Sequence, residues 1–370
     1  MIGIRGSLVH AKNWTKSGVS ELLKYFEFKL LEVIGSADVP FEIQMDITNA
    51  CNLSCVHCYH PHHKNIGALN YSNWLQVLDQ YEELLTALRR RPSFIFCGGE
   101  PLLSPHLHSL MIEIRKRFGD ARIALLTNGT RIDDQWLEIL VEQNVSVQVS
   151  IDGPESTSHD SARGLGTFEK SIRGIEKMIR RNLKVSLLTV LSKRTAPLIP
   201  KFFKLAQAIG VNDMNFTRLI PTGRGELLTR SMEDSPLNSN ELKQAYEKII
   251  QCSMESGIRT NTRQPLFQLL DSRLGYNDQF GFHGVVVDYL GNMKISSRTP
   301  TVIGNLFRDG SMKELFLENK LMKKLRTKSN YECGKCEHFS KCGGSRNAAW
   351  AATGSYFAKD PSCWLLFASR

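Results

Sequence analysis

The segment FEIQMDITNACNLSCVHCYH, residues 41–60, begins as a β-strand pattern and ends in three closely spaced cysteines. Its first seven residues, 41–47, alternate apolar and polar side chains, which predicts a strand with one buried face. Cys51, Cys55 and Cys58 follow with the spacing Cys-x3-Cys-x2-Cys. In parallel α/β sheets the reactive groups gather in loops at the C-terminal ends of strands. The triplet is therefore predicted to lie on the functional face of the molecule.

Five further segments predict strands, and amphipathic helical patterns separate them. These segments are SFIFCG (93–98), RIALLTNG (122–129), VSVQVSID (145–152), KVSLLTVL (184–191) and DMNFTRLI (213–220). Apolar strands joined by crossover helices indicate a parallel sheet. The fold class is therefore α/β, and six such units predict a partial (β/α)6 TIM-like barrel. A β-hairpin that turns at Gly291-Asn292 is predicted after the barrel.

The composition is that of an ordinary folded protein and excludes several classes. Of the 370 residues, 42% are hydrophobic and 23% are charged. No run reaches the length of a membrane span, and the first residues lack the apolar core of a signal peptide. We therefore expect a cytoplasmic protein without a membrane span. The net charge of +10 comes from scattered Lys and Arg residues, so we expect a basic solvated surface and no nucleic-acid partner.

The nine cysteines fall into two groups and two isolated residues. The second group lies in the C-terminal tail and consists of Cys333, Cys336, Cys342 and Cys363. In a reducing compartment such groups predict metal sites and not disulfide bonds. Cys97 and Cys252 stand alone, and we expect both to be buried, unreactive thiols.

On spacing alone, each group of cysteines is compatible with either zinc or an iron–sulfur cluster. Three thiolates would leave one iron of a 4Fe–4S cluster without a protein ligand. That open iron would be the position at which a chelating substrate binds. A zinc ion would need a fourth ligand there, and four nearby histidines are candidates: His57, His60, His62 and His63. The four tail thiols suffice for either a closed zinc site or a fully ligated 4Fe–4S cluster.

The triplet resembles the hallmark Cys-x3-Cys-x-aromatic-Cys of the radical S-adenosylmethionine (radical SAM) superfamily, with His57 in the aromatic position. Further motifs follow at strand ends in the order that the family uses: GGEP (98–101), TNG (127–129), SIDG (150–153), HDSARG (159–164) and PTGRG (221–225). The resemblance covers residues 40–230. It implies a barrel of the radical SAM type that binds S-adenosylmethionine.

The resemblance also implies roles for individual residues. Cys51, Cys55 and Cys58 would hold a 4Fe–4S cluster with one open iron. The amino group of the cofactor would be bound by the GGEP segment, which consists of Gly98, Gly99, Glu100 and Pro101. Ser150 and Asp152 would bind its ribose. Arg163 would bind its carboxylate, and Asn128 of the third strand would lie nearby. No catalytic residue is assigned.

The tail resembles the SPASM extension of many radical SAM enzymes, reduced to one auxiliary 4Fe–4S cluster. IGNLF (303–307) and SMKELF (311–316) match the segment before that extension. Arg346 replaces one usual cysteine, Ile295-Ser296 replaces a usual Pro-Cys, and residues 253–332 contain no cysteine. Two clusters are thus expected in total. The predicted domains are a helical extension (1–39), the barrel (40–235), a bridging helix and hairpin (236–300) and a small Cys-rich SPASM/twitch-like domain (301–370).

The resemblance implies reductive cleavage of S-adenosylmethionine to a 5′-deoxyadenosyl radical that removes hydrogen from a substrate carbon. The first interpretation is maturation of a ribosomally made peptide by crosslinking, epimerisation or oxidation. The alternative is oxidation or decarboxylation of a small molecule, as in tetrapyrrole side-chain chemistry. Expected partners are the peptide or small-molecule substrate and an electron donor such as flavodoxin or ferredoxin. A scaffold or electron carrier would leave the cofactor motifs without a use.

Overall fold

The structure is a computed structural model that describes residues 39–60, 64–230, 234–260, 264–275 and 280–366. The predicted helical extension lies outside the described residues except for its last position. His62 and His63, two of the four candidate zinc ligands, lie outside them as well.

One mixed sheet organises the described chain, with the strand order β6-β5-β4-β3-β2-β1-β7-β8-β9. Its strands are β1 (Phe41–Thr48), β2 (Pro92–Gly98), β3 (Arg122–Thr127), β4 (Ser146–Ser150), β5 (Val185–Leu191), β6 (Met214–Arg218), β7 (Gly284–Val287), β8 (Asn292–Lys294) and β9 (Val302–Asn305). Strands β1 to β6 pair in parallel with their neighbours. All six predicted barrel strands are present, and the α/β fold class with a parallel, partial barrel is confirmed.

The α-helices of the described chain connect these strands and continue into the tail. They are α1 (Tyr71–Leu88), α2 (Leu107–Phe118), α3 (Asp134–Glu142), α4 (Ser156–Arg163), α5 (Thr167–Arg180), α6 (Ile199–Ile209), α7 (Ser239–Ser256), α8 (Met312–Glu318), α9 (Lys320–Leu325) and α10 (Arg346–Thr353). Local sequence sets their ends. Helix α1 begins at a capping box formed by Asn70 and Asn73 and ends where Arg89 adopts a left-handed conformation.

The two faces of the sheet have different neighbours. On β1, the side chains of Phe41, Ile43, Met45 and Ile47 belong to the main hydrophobic core, together with the buried faces of the helices. Successive side chains of a strand alternate between faces, so the polar residues of β1 point the other way. On that inner face, Ile95, Cys97 and Ala124 form a separate small cluster against Leu126. The inner face therefore borders the space in which the strand-end loops meet.

The predicted hairpin is present, but it belongs to the same sheet as the barrel. Strand β7 pairs in parallel with β1, and β8 pairs antiparallel with β7 and β9. The turn between β7 and β8 contains Gly291, whose φ of 78° suits glycine. The tail is also better packed than its composition suggests, because Arg346, Ala348 and Ala349 at the start of α10 are buried.

In the part of the chain that the structure describes, none of the helices combines the length and the apolar character that crossing a membrane requires.

A buried tyrosine connects the first two strands and allows a test of the fold. The Tyr81 hydroxyl donates to the Phe41 carbonyl at 2.5 Å and accepts from the Ser93 N–H at 3.2 Å. Tyr81→Phe leaves both backbone groups without this partner in a dry environment, so we expect the free energy of unfolding to fall by about 1–3 kcal/mol.

Denaturant unfolding of the two Tyr→Phe variants measures this effect. Tyr289→Phe is the matched control, because among the described residues the Tyr289 hydroxyl has no hydrogen-bond partner and is partly exposed. We expect that control to change stability by less than about 0.5 kcal/mol. Equal stability of Tyr81→Phe and the wild type would contradict the assigned role.

Candidate active site

The C-terminal ends of the barrel strands surround a cavity of about 170 Å³ that opens to solvent. Residues from the cysteine triplet and from all five of the further motifs line it: Cys51, Cys55, Cys58, Gly98, Gly99, Thr127, Asn128, Ser150, Arg163 and Thr222. Apolar side chains of the inner face, including Leu126, Leu188 and Val190, form much of the remaining wall. The structure thus brings the cysteine triplet and the predicted cofactor-binding motifs together around one space.

The start of the cysteine loop is fixed by the main chain of the GGEP segment. The N–H of Gly99 donates to the Thr48 carbonyl and that of Glu100 to the Ala50 carbonyl, both at 2.8 Å. A Cβ atom on Gly98 would collide with the Thr48 carbonyl oxygen, and one on Gly99 with that of Ala50. These glycines are therefore required by the close approach of two backbone segments.

A second loop supports the cysteines from the end of β6. The Arg224 N–H donates to the Cys58 carbonyl at 2.9 Å, and the Arg224 guanidinium donates to the Cys55 carbonyl at 3.5 Å. Gly223 has a φ of 58°, and a Cβ there would approach the carbonyl oxygens of Cys58 and Tyr59 to 2.8 Å. The PTGRG motif, to which the sequence assigned no role, therefore holds the cysteine loop in place.

Asp152 is a fully buried carboxylate that joins several parts of the site. Its Oδ2 lies 2.5 Å from Arg163 Nε and 3.2 Å from His57 Nε2, and its Oδ1 accepts from the Val190 N–H at 2.8 Å. Burial alone would raise the pKa of Asp152, but the charge of Arg163 and the contact with His57 outweigh burial and hold that pKa far below its usual range. Asp152 is therefore the ionised partner of Arg163 near neutral pH.

Arg163 extends this network to the cysteine triplet. Its Nη1 donates to Cys55 Sγ at 3.8 Å while its Nε is bound to Asp152. Arg163 lines the cavity, so the guanidinium forms a cationic wall beside the thiols. His57, which stands in the family's aromatic position, contacts Asp152 through its ring, and sequence reasoning had no signal for that contact.

Glu100 is also fully buried, and protein groups donate hydrogen bonds to its carboxylate. It accepts hydrogen bonds from Thr127 Oγ1 at 2.7 Å and from the N–H groups of Asn128 at 2.9 Å and Leu102 at 3.2 Å. Burial raises the pKa of Glu100, and these donors oppose the rise. Glu100 therefore links the ends of β2 and β3, while Pro101 beside it starts a buried 3-10 turn.

Two further arginines line the cavity. Arg218, at the end of β6, is buried and donates to Asp360 Oδ2 of the tail at 2.6 Å. Arg298 follows the hairpin, and within the described residues its guanidinium makes neither a hydrogen bond nor an ion pair. Its neighbour Ser297 is anchored to Asp46 of β1 at 2.7 Å. The cavity thus holds a cation that is positioned but not neutralised by the described chain.

Burial favours the protonated form of the cavity thiols in the absence of a bound metal. It raises the pKa of Cys51 to about 11 and also raises the pKa of Cys58. Cys97 is buried as expected, and it lines the cavity with its Sγ 3.8 Å from the Tyr59 hydroxyl. Burial raises the pKa of Cys97 to about 12, which agrees with an unreactive thiol.

Two of the four tail cysteines contact a short irregular segment before α10. The Gly344 N–H donates to Cys342 Sγ at 3.4 Å, and Cys333 Sγ contacts the Gly343 carbonyl at 3.6 Å. Burial raises the pKa of Cys342 to about 12, and the nearby Cys363 and Cys333 thiols add to this rise. Cys333 and Cys342 thus contact the two neighbouring glycines of this segment.

Among the described residues, no three Cys, His, Asp or Glu side chains are already arranged at metal-binding distances. The donor chemistry nevertheless suits iron–sulfur clusters, since one group offers three thiols at the cavity wall and the other offers four. All nine cysteines are free thiols. Metal binding would have to displace their protons, as is usual for thiolate sites.

Comparisons with known proteins agree with this geometry. Residues 45–206 match the model of the Radical SAM superfamily. The chain is 30% identical to the AdoMet-dependent heme synthase of Methanosarcina barkeri over 90% of this chain and 98% of that protein. It is 27% identical to the mycofactocin maturase MftC of Mycobacterium tuberculosis over 94% of this chain and 87% of that protein.

A solved structure shows the same fold. The structure of anSMEcpe with bound AdoMet and Cp18Cys peptide has a TM-score of 0.67 and 22% identity, covering 88% of this chain and 94% of that one. The chain therefore belongs to the radical SAM superfamily, as its motifs, their shared cavity and its relatives all indicate. It is an enzyme that uses S-adenosylmethionine with a 4Fe–4S cluster.

Proposed function

We propose that this enzyme carries out radical maturation of a ribosomally made peptide, by crosslinking, epimerisation or oxidation of its residues. The observation that carries the radical chemistry is the convergence of the cysteine triplet, GGEP, SIDG and Arg163 on one cavity. When bound, the cluster and cofactor supply a 5′-deoxyadenosyl radical. The protein orients the cofactor and keeps water away from the reacting carbon.

Within this proposal, Cys51, Cys55 and Cys58 hold the cluster with one iron open to the cofactor. The exposed main chain of Gly98 and Gly99 and the cavity-lining side chains of Asn128, Ser150 and Arg163 would receive the cofactor. Glu100, Pro101 and Asp152 are buried next to these residues, and their hydrogen bonds support an indirect contribution through the shape of the pocket.

We propose further that Cys333, Cys336, Cys342 and Cys363 ligate one auxiliary 4Fe–4S cluster. The four sulfurs would leave no iron open, so this cluster would not bind S-adenosylmethionine. The ion pair between Arg218 and Asp360 supports a link with the active site, because it joins the cavity wall to the segment that carries Cys363. A tail cluster so placed is suited to accept one electron from the substrate radical.

Two observations support a peptide substrate. The relation to a mycofactocin maturase extends over 94% of the chain. The same fold also accommodates a peptide beside AdoMet in a solved structure. The cavity agrees with a substrate that carries a carboxylate, because Arg298 presents a charge that the described chain does not neutralise.

A second candidate function is oxidation or decarboxylation of tetrapyrrole side chains. The relation to an AdoMet-dependent heme synthase at 30% identity over 98% of that protein favours it. A tetrapyrrole with carboxylate side chains would form an ion pair with Arg298 equally well. The two candidates thus share the anionic group and differ in the molecule that carries it.

The electron that starts each cycle would come from a small carrier such as flavodoxin or ferredoxin. We also place the enzyme in the cytoplasm, where reducing conditions keep cysteines available for clusters. The nine free thiols of the structure support this assignment.

The cysteine triplet is tested by replacing all three thiols. Replacement of Cys51, Cys55 and Cys58 together by Ala should abolish 5′-deoxyadenosine formation under anaerobic, reducing conditions. The cofactor then has no iron to chelate. Chromatography of the reaction measures the product. Cys252→Ala is the matched control, since Cys252 is buried on α7 outside the cavity, and it should retain cleavage. Undiminished cleavage in the triple variant would refute the assignment.

Metal analysis tests the tail cluster. A protein with both sites filled should contain about eight irons per chain, and the triple alanine variant about four, at four irons per cubane. The iron that remains in the triple variant should give a spectrum that does not respond to S-adenosylmethionine. Zinc in the tail, or about twelve irons per chain by the same count, would show that the ligand assignment is wrong.

Substrate choice is tested by mass spectrometry. The reconstituted enzyme and S-adenosylmethionine are incubated either with a short peptide encoded beside its gene or with iron coproporphyrin III. We expect a mass change in the peptide and none in the porphyrin. A porphyrin that loses mass while the peptide stays intact would establish the second candidate instead. Arg298→Gln should slow either reaction, because the substrate carboxylate loses its cationic partner.

A further inference from the structure

Cys97 is a thiol of the cavity wall that lies outside the cysteine triplet. It stands near the end of β2, directly before the GGEP segment, and it lines the same cavity as the predicted cofactor-binding residues. We propose that Cys97 is a catalytic residue whose thiol returns a hydrogen atom to the carbon radical of the substrate. This inference rests on the proposed function, and it selects epimerisation among the three modifications given there.

The thiol is shielded from bulk solvent and still borders the cavity. Cys97 is 6% exposed, and its Sγ lies 3.8 Å from the hydroxyl of Tyr59, which lines the cavity as well. Its other neighbours on the inner face of the sheet are the apolar side chains of Ile95, Ala124 and Leu126. These surroundings hold the thiol in one place without activating it as a nucleophile.

The protonation state of Cys97 preserves its hydrogen. Burial raises the pKa of the thiol to about 12, the charge of Asp46 adds to that rise, and the charge of Arg298 opposes it. The thiol is therefore protonated near neutral pH, and a protonated thiol is a poor nucleophile and a poor metal ligand. Its S–H bond is nevertheless weak enough to give a hydrogen atom to a carbon radical. A thiol that is inert in ionic chemistry is thus competent in radical chemistry.

Two further groups of the cavity wall point to a bound molecule beside this thiol. Thr222 is 6% exposed and lines the cavity, and within the described chain its Oγ1 has no hydrogen-bond partner. Arg298 also lines the cavity, and its charge acts on the Cys97 thiol, so the two side chains face the same part of the space. A substrate carboxylate bound to Arg298 would bring the carbons next to it towards Cys97.

The proposed step is balanced in atoms and electrons. The substrate carbon first loses a hydrogen atom to the 5′-deoxyadenosyl radical. The resulting carbon radical then takes the hydrogen atom of Cys97, so a C–H bond forms on the opposite face of that carbon, the S–H bond breaks and a thiyl radical remains. One electron from the small carrier and one proton from solvent restore the thiol. A second electron from the same carrier is used for the cleavage of S-adenosylmethionine.

Solvent deuterium tests the donor, because a thiol exchanges its hydrogen with water. The reconstituted holoenzyme is incubated in D2O with S-adenosylmethionine, a reductant and the short peptide encoded beside its gene. After back-exchange in H2O, mass spectrometry should find one carbon-bound deuterium in the peptide. Cys97→Ser has a similar size, but its O–H bond is too strong to give a hydrogen atom. This variant should lose the deuterium and still form 5′-deoxyadenosine.

A second measurement needs no substrate and covers the case in which the peptide is not modified. Without peptide, the 5′-deoxyadenosine that forms in D2O takes its hydrogen from the cavity wall, so the wild-type product should carry solvent deuterium. Cys97→Ser should lose this label, and Cys252→Ala, which removes another buried thiol, should keep it. Equal labelling in the wild type and Cys97→Ser would overturn the inference. Loss of the label in Tyr59→Phe alone would assign the donor to Tyr59 and overturn it as well.

Substrate binding separates a chemical role of Cys97 from a structural one. Cys97→Ser should bind the peptide as tightly as the wild type does. Arg298→Gln should bind it at least about tenfold more weakly, because one charge-assisted hydrogen bond is lost. A wild-type enzyme that modifies the peptide without deuterium would refute the inference. Deuterium in iron coproporphyrin III and not in the peptide would uphold the donor and refute the proposed peptide substrate, which separates the two failures.

Discussion

The arrangement of the site depends on the burial of one carboxylate, that of Asp152. A charge removed from water must be compensated by partners of opposite charge or by hydrogen bonds. Arg163 and His57 provide that compensation at 2.5 and 3.2 Å, and the Val190 N–H completes it. These groups come from helix α4, the cysteine loop and strand β5. One buried anion therefore fixes the loop that carries the thiols relative to the sheet.

Sequence patterns predicted the elements of the fold well because their causes are local. The six barrel strands follow from short apolar runs and crossover helices, and the cysteine spacing is visible in ten residues. Contacts between distant segments were not predictable in this way. Nothing near Arg218 indicates Asp360, and nothing near Asp152 indicates the ring of His57. The hairpin was recognised, but its parallel pairing with β1 depends on the closure of the whole sheet.

Arginine and metal-bound cysteine can serve the same structural purpose in the tail. A thiolate bound to a shared metal ties its own segment to the segments of the other ligands. Arg346 achieves a similar connection by hydrogen bonds to the carbonyls of Gly343, Gly344, Tyr356 and Ala358. The tail is further fastened to the hairpin loop, because Thr299 Oγ1 lies 2.6 Å from the Tyr356 hydroxyl. These hydrogen bonds hold a segment, 356–358, that the contacting rings of Tyr331 and Phe357 also join to the tail.

The position of β7 beside β1 has a consequence for synthesis on the ribosome. Strand β1 is among the first described elements to emerge, yet one of its edges is covered only by β7, which begins at Gly284. Translation proceeds at about 5–20 residues per second, so that edge waits on the order of tens of seconds for its partner. An apolar strand with an open edge pairs readily with other chains. The nascent enzyme is therefore a natural client for chaperones that shield strands until translation has passed the hairpin.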